Sequence, residues 1–92
     1  MTENEEHICR LLASDTTKHK AFEMIVKSYR ECLYWKIRYI VLTHEDADDG
    51  LQNTFLKAWN NIGSFHGNSK LSTWLNSIAI NEALDHLRNN TH

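Results

Sequence analysis

The sequence predicts an all-α protein, a compact bundle of one short and three longer helices. No proline occurs in the 92 residues, and the three glycines stand at positions 50, 63 and 67, so only Gly50 could interrupt a helix before residue 63. Apolar residues also recur three and four positions apart, which is the spacing of one face of a helix. The hydrophobic content of 41% is enough for a single domain over residues 1–92.

The first two helices are predicted from apolar spacing. A short leading helix is expected from about residue 4 to about residue 13, with Ile8, Leu11 and Leu12 packed on the bundle. A long amphipathic helix follows from about residue 17 to about residue 42, and Asp15 or Thr17 is expected to cap its start. Its predicted core stripe consists of Phe22, Ile25, Val26, Tyr29, Cys32, Leu33, Ile37 and Ile40.

The third helix is expected from about residue 44 to about residue 61. Thr43 and Asp46 resemble a capping box, and the acids that follow favour the positive end of a helix dipole. We expect Gly63 to end the helix in a left-handed conformation. The predicted core stripe is Leu51, Phe55, Ala58, Trp59 and Ile62.

A polar loop is expected from about residue 62 to about residue 70, and the last helix from about residue 71 to about residue 89. On that helix Ile80 and Leu84 fall outside the main apolar face. Either the helix turns a new side to the bundle, or these two residues stay exposed for a partner to cover. The main face consists of Leu71, Trp74, Leu75, Ile78 and Ala79.

Charge is distributed unevenly along the chain. The net charge of −2 argues against nucleic-acid binding by bulk electrostatics alone. Between Lys18 and Arg38, however, six basic residues accompany only two acidic ones. The chain shows no signal peptide, and its longest apolar run, residues 39–42, is far shorter than the roughly 20 residues of a membrane span. We therefore expect a cytoplasmic protein without membrane contact.

Cofactor, metal and catalytic chemistry are not indicated. The six histidines lack HExxH spacing, and Cys9 and Cys32 stand in unrelated contexts that suggest reduced, buried thiols. The acids in residues 45–49 open a helix, where carboxylates are favourable without any function. Because no catalytic motif or phosphate-binding loop occurs, we expect neither an enzyme nor a cofactor or metal.

Two segments carry polar groups that could bind a partner. One is the outer face of the third helix, flanked by Gln52 and Leu56, although such a face is also the ordinary solvated side of a helix. The other is the loop and last helix, whose aromatic, amide, hydroxyl and basic groups suit unpaired bases. For Phe65 and Trp74 the alternative is a purely structural place in the core. The outer face of the third helix contains Asp46, Asp49, Asn53, Lys57 and Asn60.

The order of several motifs identifies a family resemblance. DADDGLQNTFLKAW at residues 46–59, F-x-G at 65–67, TWL at 73–75 and IAINEALDHLR at 78–88 resemble region 2 of the extracytoplasmic-function (ECF) group of bacterial sigma factors. AFEMIVKSYRECLYW, beginning at Ala21, resembles the first long helix of that region. The resemblance implies the sigma region 2 bundle and a role in transcription initiation, with core RNA polymerase, promoter DNA and an anti-sigma factor as partners.

The same resemblance implies roles for individual residues. The third helix would dock on the clamp helices of the polymerase β′ subunit, and the loop from Phe65 to Lys70 would capture a base flipped from the non-template strand of the minus-ten element. Docking residues would be Asp49, Gln52, Asn53, Leu56 and Lys57. Residues holding the melted, single-stranded DNA would be Phe65, His66, Asn68, Ser69, Lys70, Thr73, Trp74, Ser77, Asn81 and Arg88.

The chain also departs from the family pattern. The family usually carries arginine or lysine where this chain has His66, Ser77, Ile80 and Asn89, and residues 62–92 have no net charge apart from histidine. Gly50 and Asn53 replace residues that are commonly branched apolar and glutamate. These departures keep a second interpretation open, a sigma-like helical protein-interaction module that has lost promoter contact.

Overall fold

The computed structural model describes residues 2–65 and 70–89, and no strand occurs among them. Four helices form the bundle, which confirms the all-α prediction: α1 (Thr2–Leu12), α2 (Lys18–Ile40), α3 (His44–Asn61) and α4 (Leu71–Asn89). A single 3₁₀ turn, Ile62–Ser64, follows α3. No helix in these ranges is long and apolar enough to cross a membrane.

The connection between α1 and α2 is fixed by Thr17. Its hydroxyl donates to the carbonyl oxygen of Leu11 at 2.6 Å, so the side chain ties the end of α1 to the start of α2. Thr17 is the N-cap residue of α2 by position, yet its side chain makes no capping hydrogen bond. The buried Ile8 anchors α1 in the core.

The core face of α2 is narrower than the predicted stripe. Ala21, Ile25, Leu33 and Ile37 are buried at intervals of four or eight residues. Cys32 is exposed, so its prediction as a buried core thiol is wrong. The side chain of Cys32 points about 100° away from that of the adjacent Leu33, and of the two only Leu33 is buried against the other helices. Cys9 is only partly buried.

The start of α3 follows the predicted capping pattern. The Asp46 backbone N–H donates to the Thr43 hydroxyl oxygen at 3.1 Å, which confirms Thr43 as the N-cap. Small residues then bring α3 close to α2. A Cβ atom at Gly50 would lie 3.0 Å from Cγ2 of Ile37, so the glycine permits a close helix approach. The Thr54 hydroxyl, also buried, donates to the Gly50 carbonyl oxygen at 2.7 Å.

The end of α3 differs from the prediction for Gly63. The chain continues into the 3₁₀ turn with the same helical sense, and the Phe65 N–H donates to the Ile62 carbonyl oxygen at 3.2 Å. Gly63 lies inside this turn and does not adopt a left-handed conformation. The expected glycine stop is therefore wrong, because the turn itself satisfies a carbonyl group that a left-handed residue would otherwise serve.

Helix α4 packs against both α2 and α3. Its buried residues include Leu71, Leu75, Ala79 and Ala83, which lie four residues apart and form one straight stripe. Ile80 and Leu84 remain exposed. Of the two alternatives for this helix, the structure shows the second, in which both residues stay at the surface.

Candidate functional site

An open groove of about 790 Å³ runs between α2 and α3. Its floor is largely apolar, and charged or amide side chains stand at its edges, among them Arg30, Glu31, Asp48 and Gln52. The floor comes from residues that the sequence placed in two core stripes. Phe22, Val26, Phe55 and Trp59 are only partly buried and line the groove.

Aromatic contacts join α2 to α3 at one end of the groove. The ring centroids of Phe22 and Trp59 are 5.1 Å apart, and those of Phe22 and Phe55 are 6.3 Å apart, both edge to face. The Lys18 ammonium group lies 5.2 Å from the centroid of the Trp59 ring, a cation–π distance. These contacts restrict the rings, so the floor is formed before any partner arrives.

The predicted docking residues of α3 differ in their surroundings. Gln52 and Leu56 line the groove, and Leu56 is exposed. Asp49 is exposed but does not line the groove. Asn53 is partly buried, and the side chain of Lys57 reaches α4. The structure therefore brings Gln52 and Leu56 together and separates Lys57 from them.

The Lys57 ammonium group donates to Oε2 of Glu82 at 2.5 Å, joining α3 to α4. The Glu82 side chain is 8% exposed, whereas that of Lys57 is 51% exposed. The hydrogen bond to Glu82 raises the pKa of Lys57, against the effect of partial burial, and the charges of Glu82 and Asp85 raise it further. The lysine therefore stays charged and neutralises a buried carboxylate.

Sequence analysis placed Lys57 at a docking surface and did not assign Glu82 a role. The signal lay in the position of Glu82, seven residues after the buried Leu75 and three after the buried Ala79. A carboxylate at core spacing requires a cation from another element, and Lys57 supplies it.

The start of α3 carries a second polar cluster. His44 Nε2 lies 3.2 Å from Oδ2 of Asp48, and Nδ1 of the same ring forms a hydrogen bond with the Tyr34 hydroxyl. These contacts link the end of α2 to the first turn of α3. In residues 2–65 and 70–89 no group of three histidine, cysteine or acidic side chains has metal-site geometry.

Four predicted DNA-binding residues lie on one exposed face of α4. Thr73, Ser77, Asn81 and Arg88 are all exposed and follow one another at intervals of four or seven. The Ser77 hydroxyl donates to the Thr73 carbonyl oxygen at 3.1 Å, and Arg88 pairs with Asp85 at 2.8 Å. We call Thr73, Ser77, Asn81 and Arg88 the α4 outer face.

The predicted base-capturing aromatics contact each other. The ring centroids of Phe65 and Trp74 are 5.1 Å apart at an interplanar angle of 39°, and both rings pack against the core. Lys70 is exposed immediately before α4. His66, Asn68 and Ser69, the other loop residues assigned to DNA, lie outside the described residues.

Comparison with known proteins now decides the family. Residues 25–92, which include most of α2 and all of α3 and α4, match the family model for sigma-70 region 2. The chain belongs to this family. The matched range includes the α4 outer face and all the groove-lining residues except Phe22.

Curated relatives carry ECF names. The region 2 domain is 35% identical over 86 residues to the ECF RNA polymerase sigma factor SigM of Mycobacterium tuberculosis, covering 92% of the chain and 44% of that relative. It is 38% identical over 68 residues to the RNA polymerase sigma-H factor of Pseudomonas aeruginosa, covering 74% of the chain and 35% of the relative. It is 38% identical over 68 residues to the ECF RNA polymerase sigma factor SigW of Bacillus subtilis, covering 74% of the chain and 36% of that relative.

These matches confirm the predicted resemblance to region 2 of an ECF sigma factor. The domain spans less than half the length of these relatives.

Proposed function

We propose that this region 2 domain acts in transcription initiation by docking on core RNA polymerase and by holding unpaired bases of the promoter minus-ten element. The observation that carries the proposal is the presence of two separate surfaces within a sigma-70 region 2 fold. One is the groove between α2 and α3, and the other is the α4 outer face with the loop before it. The relatives named as RNA polymerase sigma factors support the same role.

The groove is suited to a helical partner, and the proposed one is the pair of clamp helices of the β′ subunit. Apolar side chains of a helix would cover the rings of Phe55 and Trp59, and Leu56 would add exposed apolar area at the edge. The Gln52 amide, which can donate and accept, would set the position of the partner. Asp49 would contribute a charge beside the groove, whereas Lys57 would act through its contact with α4.

The α4 outer face is suited to a single strand, with hydroxyl and amide groups for base edges and Arg88 for a phosphate. The partly exposed ring of Trp74 and the ring of Phe65 form the base of the proposed capture loop. Unstacking a base costs a few kcal/mol, and stacking on an aromatic ring returns roughly 1 to 3 kcal/mol per base. The proposed role therefore needs binding free energy and no bond-making step.

The buried ion pair changes the charge balance that a DNA strand would meet. Because Lys57 neutralises Glu82 inside the bundle, Asp85 is the acidic residue of α4 that remains at the surface, opposite Arg88 on the same helix and Lys70 just before it. Two phosphate contacts would give a slope of about −1.4 for log K against log salt on a single strand. Strand binding by the domain alone should therefore be weak and should strengthen once polymerase holds the DNA.

Docking can be tested by pull-down of the domain with a β′ clamp-helix fragment. Leu56→Glu places a charge at the apolar edge of the groove and should weaken binding at least about tenfold. Gln52→Ala removes the amide and should weaken binding less. Ala13→Glu adds the same charge at an exposed position between α1 and α2 and should bind normally. Equal binding by all three variants would contradict docking through the groove.

Strand capture can be tested by fluorescence anisotropy with a labelled single-stranded minus-ten oligonucleotide, with and without core polymerase. We expect binding that Asn81→Ala and Arg88→Ala weaken, and that is much tighter in the presence of polymerase. A scrambled oligonucleotide of equal length is the control.

A second candidate function is a helical interaction module that keeps the region 2 fold without promoter contact. The observation that favours it is the exposure of Ile80 and Leu84 on α4, next to a face with few cations. This candidate would be favoured if the domain bound no single-stranded DNA, with or without core polymerase, and still docked normally on the clamp helices.

A further inference from the structure

The second half of α2 carries an exposed apolar stripe that belongs neither to the groove nor to the α4 outer face. Cys32 is exposed, Trp35 is 57% exposed and Tyr39 is 92% exposed. Leu42, directly after the helix, is 71% exposed. We call Cys32, Trp35 and Tyr39 the α2 stripe. Two large aromatic rings at this exposure within one turn of each other are unusual on the surface of a small domain.

The α2 stripe is separate from the groove. At about 100° per residue, Cys32, Trp35 and Tyr39 lie within about 60° of one another around the helix. Val26 and Arg30, which line the groove, lie on the opposite side of α2, whereas Glu31 lies at the edge of the groove and borders the stripe. Helix α1 does not cover the stripe. The connection joins α1 to the first residues of α2, and the 11 residues of α1 extend only about 16 Å, whereas the stripe lies in the second half of α2.

The spacing of the stripe matches that of a helix pair. Steps of three and then four residues place Cys32, Trp35 and Tyr39 at successive a, d and a positions of a heptad. Glu31 and Lys36 then occupy the flanking g and e positions, one on each side of the stripe. In a parallel pair a g residue meets the e residue five positions later in the other helix. Glu31 is therefore matched to Lys36 of an identical helix, and the symmetry forms this pair twice.

We propose that the α2 stripe is a self-association surface, on which a second copy of this chain packs its own α2 in parallel. Trp35 then contacts Trp35 of the partner copy, and the two Cys32 side chains face each other. The charge match selects an identical chain over an unrelated helix, because the same helix supplies both the acid and the base.

The area of the surface indicates a weak dimer. At the measured exposures, the Trp35 and Tyr39 rings together remove roughly 300 Å² from water on each chain. Both chains together therefore contribute about 600 Å² from the rings, and Leu42 with the flanking residues adds to this. The area from the rings is below the roughly 1,200 Å² of stable interfaces, so the dimer should form only at micromolar or higher concentration.

Sedimentation equilibrium of the 92-residue chain between about 1 µM and several hundred µM tests the proposal. The average mass should rise from monomer toward dimer, and Tyr39→Glu should raise the dissociation constant at least about tenfold. Leu84→Glu places the same charge at another exposed apolar position, on α4, and should leave the constant unchanged. A monomer at every concentration, or equal effects of the two variants, would overturn the proposal.

A charge swap and a cross-link test the parallel arrangement. Lys36→Glu should weaken association, and the double variant Glu31→Lys with Lys36→Glu should restore it. A short bis-maleimide reagent should join the wild-type chain and the Cys9→Ser variant as dimers but not Cys32→Ser. Failure of the swap to restore association, or a cross-link that survives Cys32→Ser, would overturn it. Single-stranded DNA that quenches the tryptophan fluorescence of the monomeric wild type, with most of the quenching lost in Trp35→Phe, would also do so.

Discussion

Replacing Lys57 with methionine should destabilise the domain by about 2 kcal/mol. Removal of one partner from a fully buried ion pair costs about 3 to 5 kcal/mol, whereas exposed pairs contribute about 0 to 1 kcal/mol. Here the carboxylate of Glu82 is buried and the lysine is half in solvent, at 8% and 51% exposure of the side chains, so an intermediate cost is expected. For a domain of this size, about 2 kcal/mol lowers the melting temperature by roughly 8 to 16 °C.

The measurement is urea denaturation followed by circular dichroism, with Lys20→Met as the control at an exposed lysine of α2. The control should change the free energy of unfolding by less than about 0.5 kcal/mol. The double variant Lys57→Met with Glu82→Leu should recover much of the loss, because it leaves no unpaired charge in the bundle. A Lys57→Met variant as stable as Lys20→Met, or a double variant less stable than Lys57→Met, would show that the pair does not hold α3 against α4.

Three further outcomes are expected. The contribution of Lys57 should be complete below the pKa of an unfolded lysine, about 10.4, and should disappear as pH rises through the higher folded-state pKa. The free energy of unfolding should therefore fall more for the wild type than for Lys57→Met as pH rises from about 9 to about 11.5. Gly50→Ala should lower the free energy of unfolding by about 1 kcal/mol, measured by urea denaturation. The reason is that the close contact with the stiff, buried Ile37 outweighs the gain in helix propensity. A variant more stable than the wild type would show that Ile37 can move. Thr43→Ala should cost about 1 kcal/mol by the same assay while Thr43→Ser costs little, and equal losses would contradict a capping role.

Local patterns in the sequence were sufficient for the helical class and for the start of α3. The Thr43 cap is visible because its partner is Asp46, three residues away, and such short-range hydrogen bonds leave a pattern in adjacent positions. The same holds for the exposed Ile80 and Leu84, which already stood outside the apolar face of their helix. The spacing of apolar residues along one helix shows which of them share a face, but it does not show what that face contacts.

Features that depend on contacts between helices were not predictable in this way. The partnership of Lys57 with Glu82 joins residues 25 positions apart, and nothing local distinguishes Lys57 from a solvated lysine. Gly50 stood out as a possible interruption of a helix and as a departure from the family pattern, but neither observation indicated that its lack of a side chain lets α3 approach Ile37. Cys32 was placed in the core because it fits an apolar spacing, and the spacing belongs instead to the α2 stripe.

The candidate site was predicted in part for the same reason. Thr73, Ser77 and Asn81 were assigned through the family resemblance; their spacing of four puts them on one exposed face of α4, and their contact with DNA stays a prediction. The groove needs two helices, and its α2 wall, which includes Arg30 and Tyr34, had no functional assignment from sequence. A comparison of the partly apolar sides of both helices would have been needed to find it.

Helices α2 and α3 contact each other differently at the two ends of the pair. At one end the bare backbone of Gly50 meets Ile37, whereas at the other end the rings of Phe22, Phe55 and Trp59 stand between α2 and α3 and hold them apart. Gly50 does not line the groove, but the residue after it, Leu51, does. A larger side chain at position 50 would press on Ile37 and so act on the groove from a buried position, without replacing any residue that a partner touches.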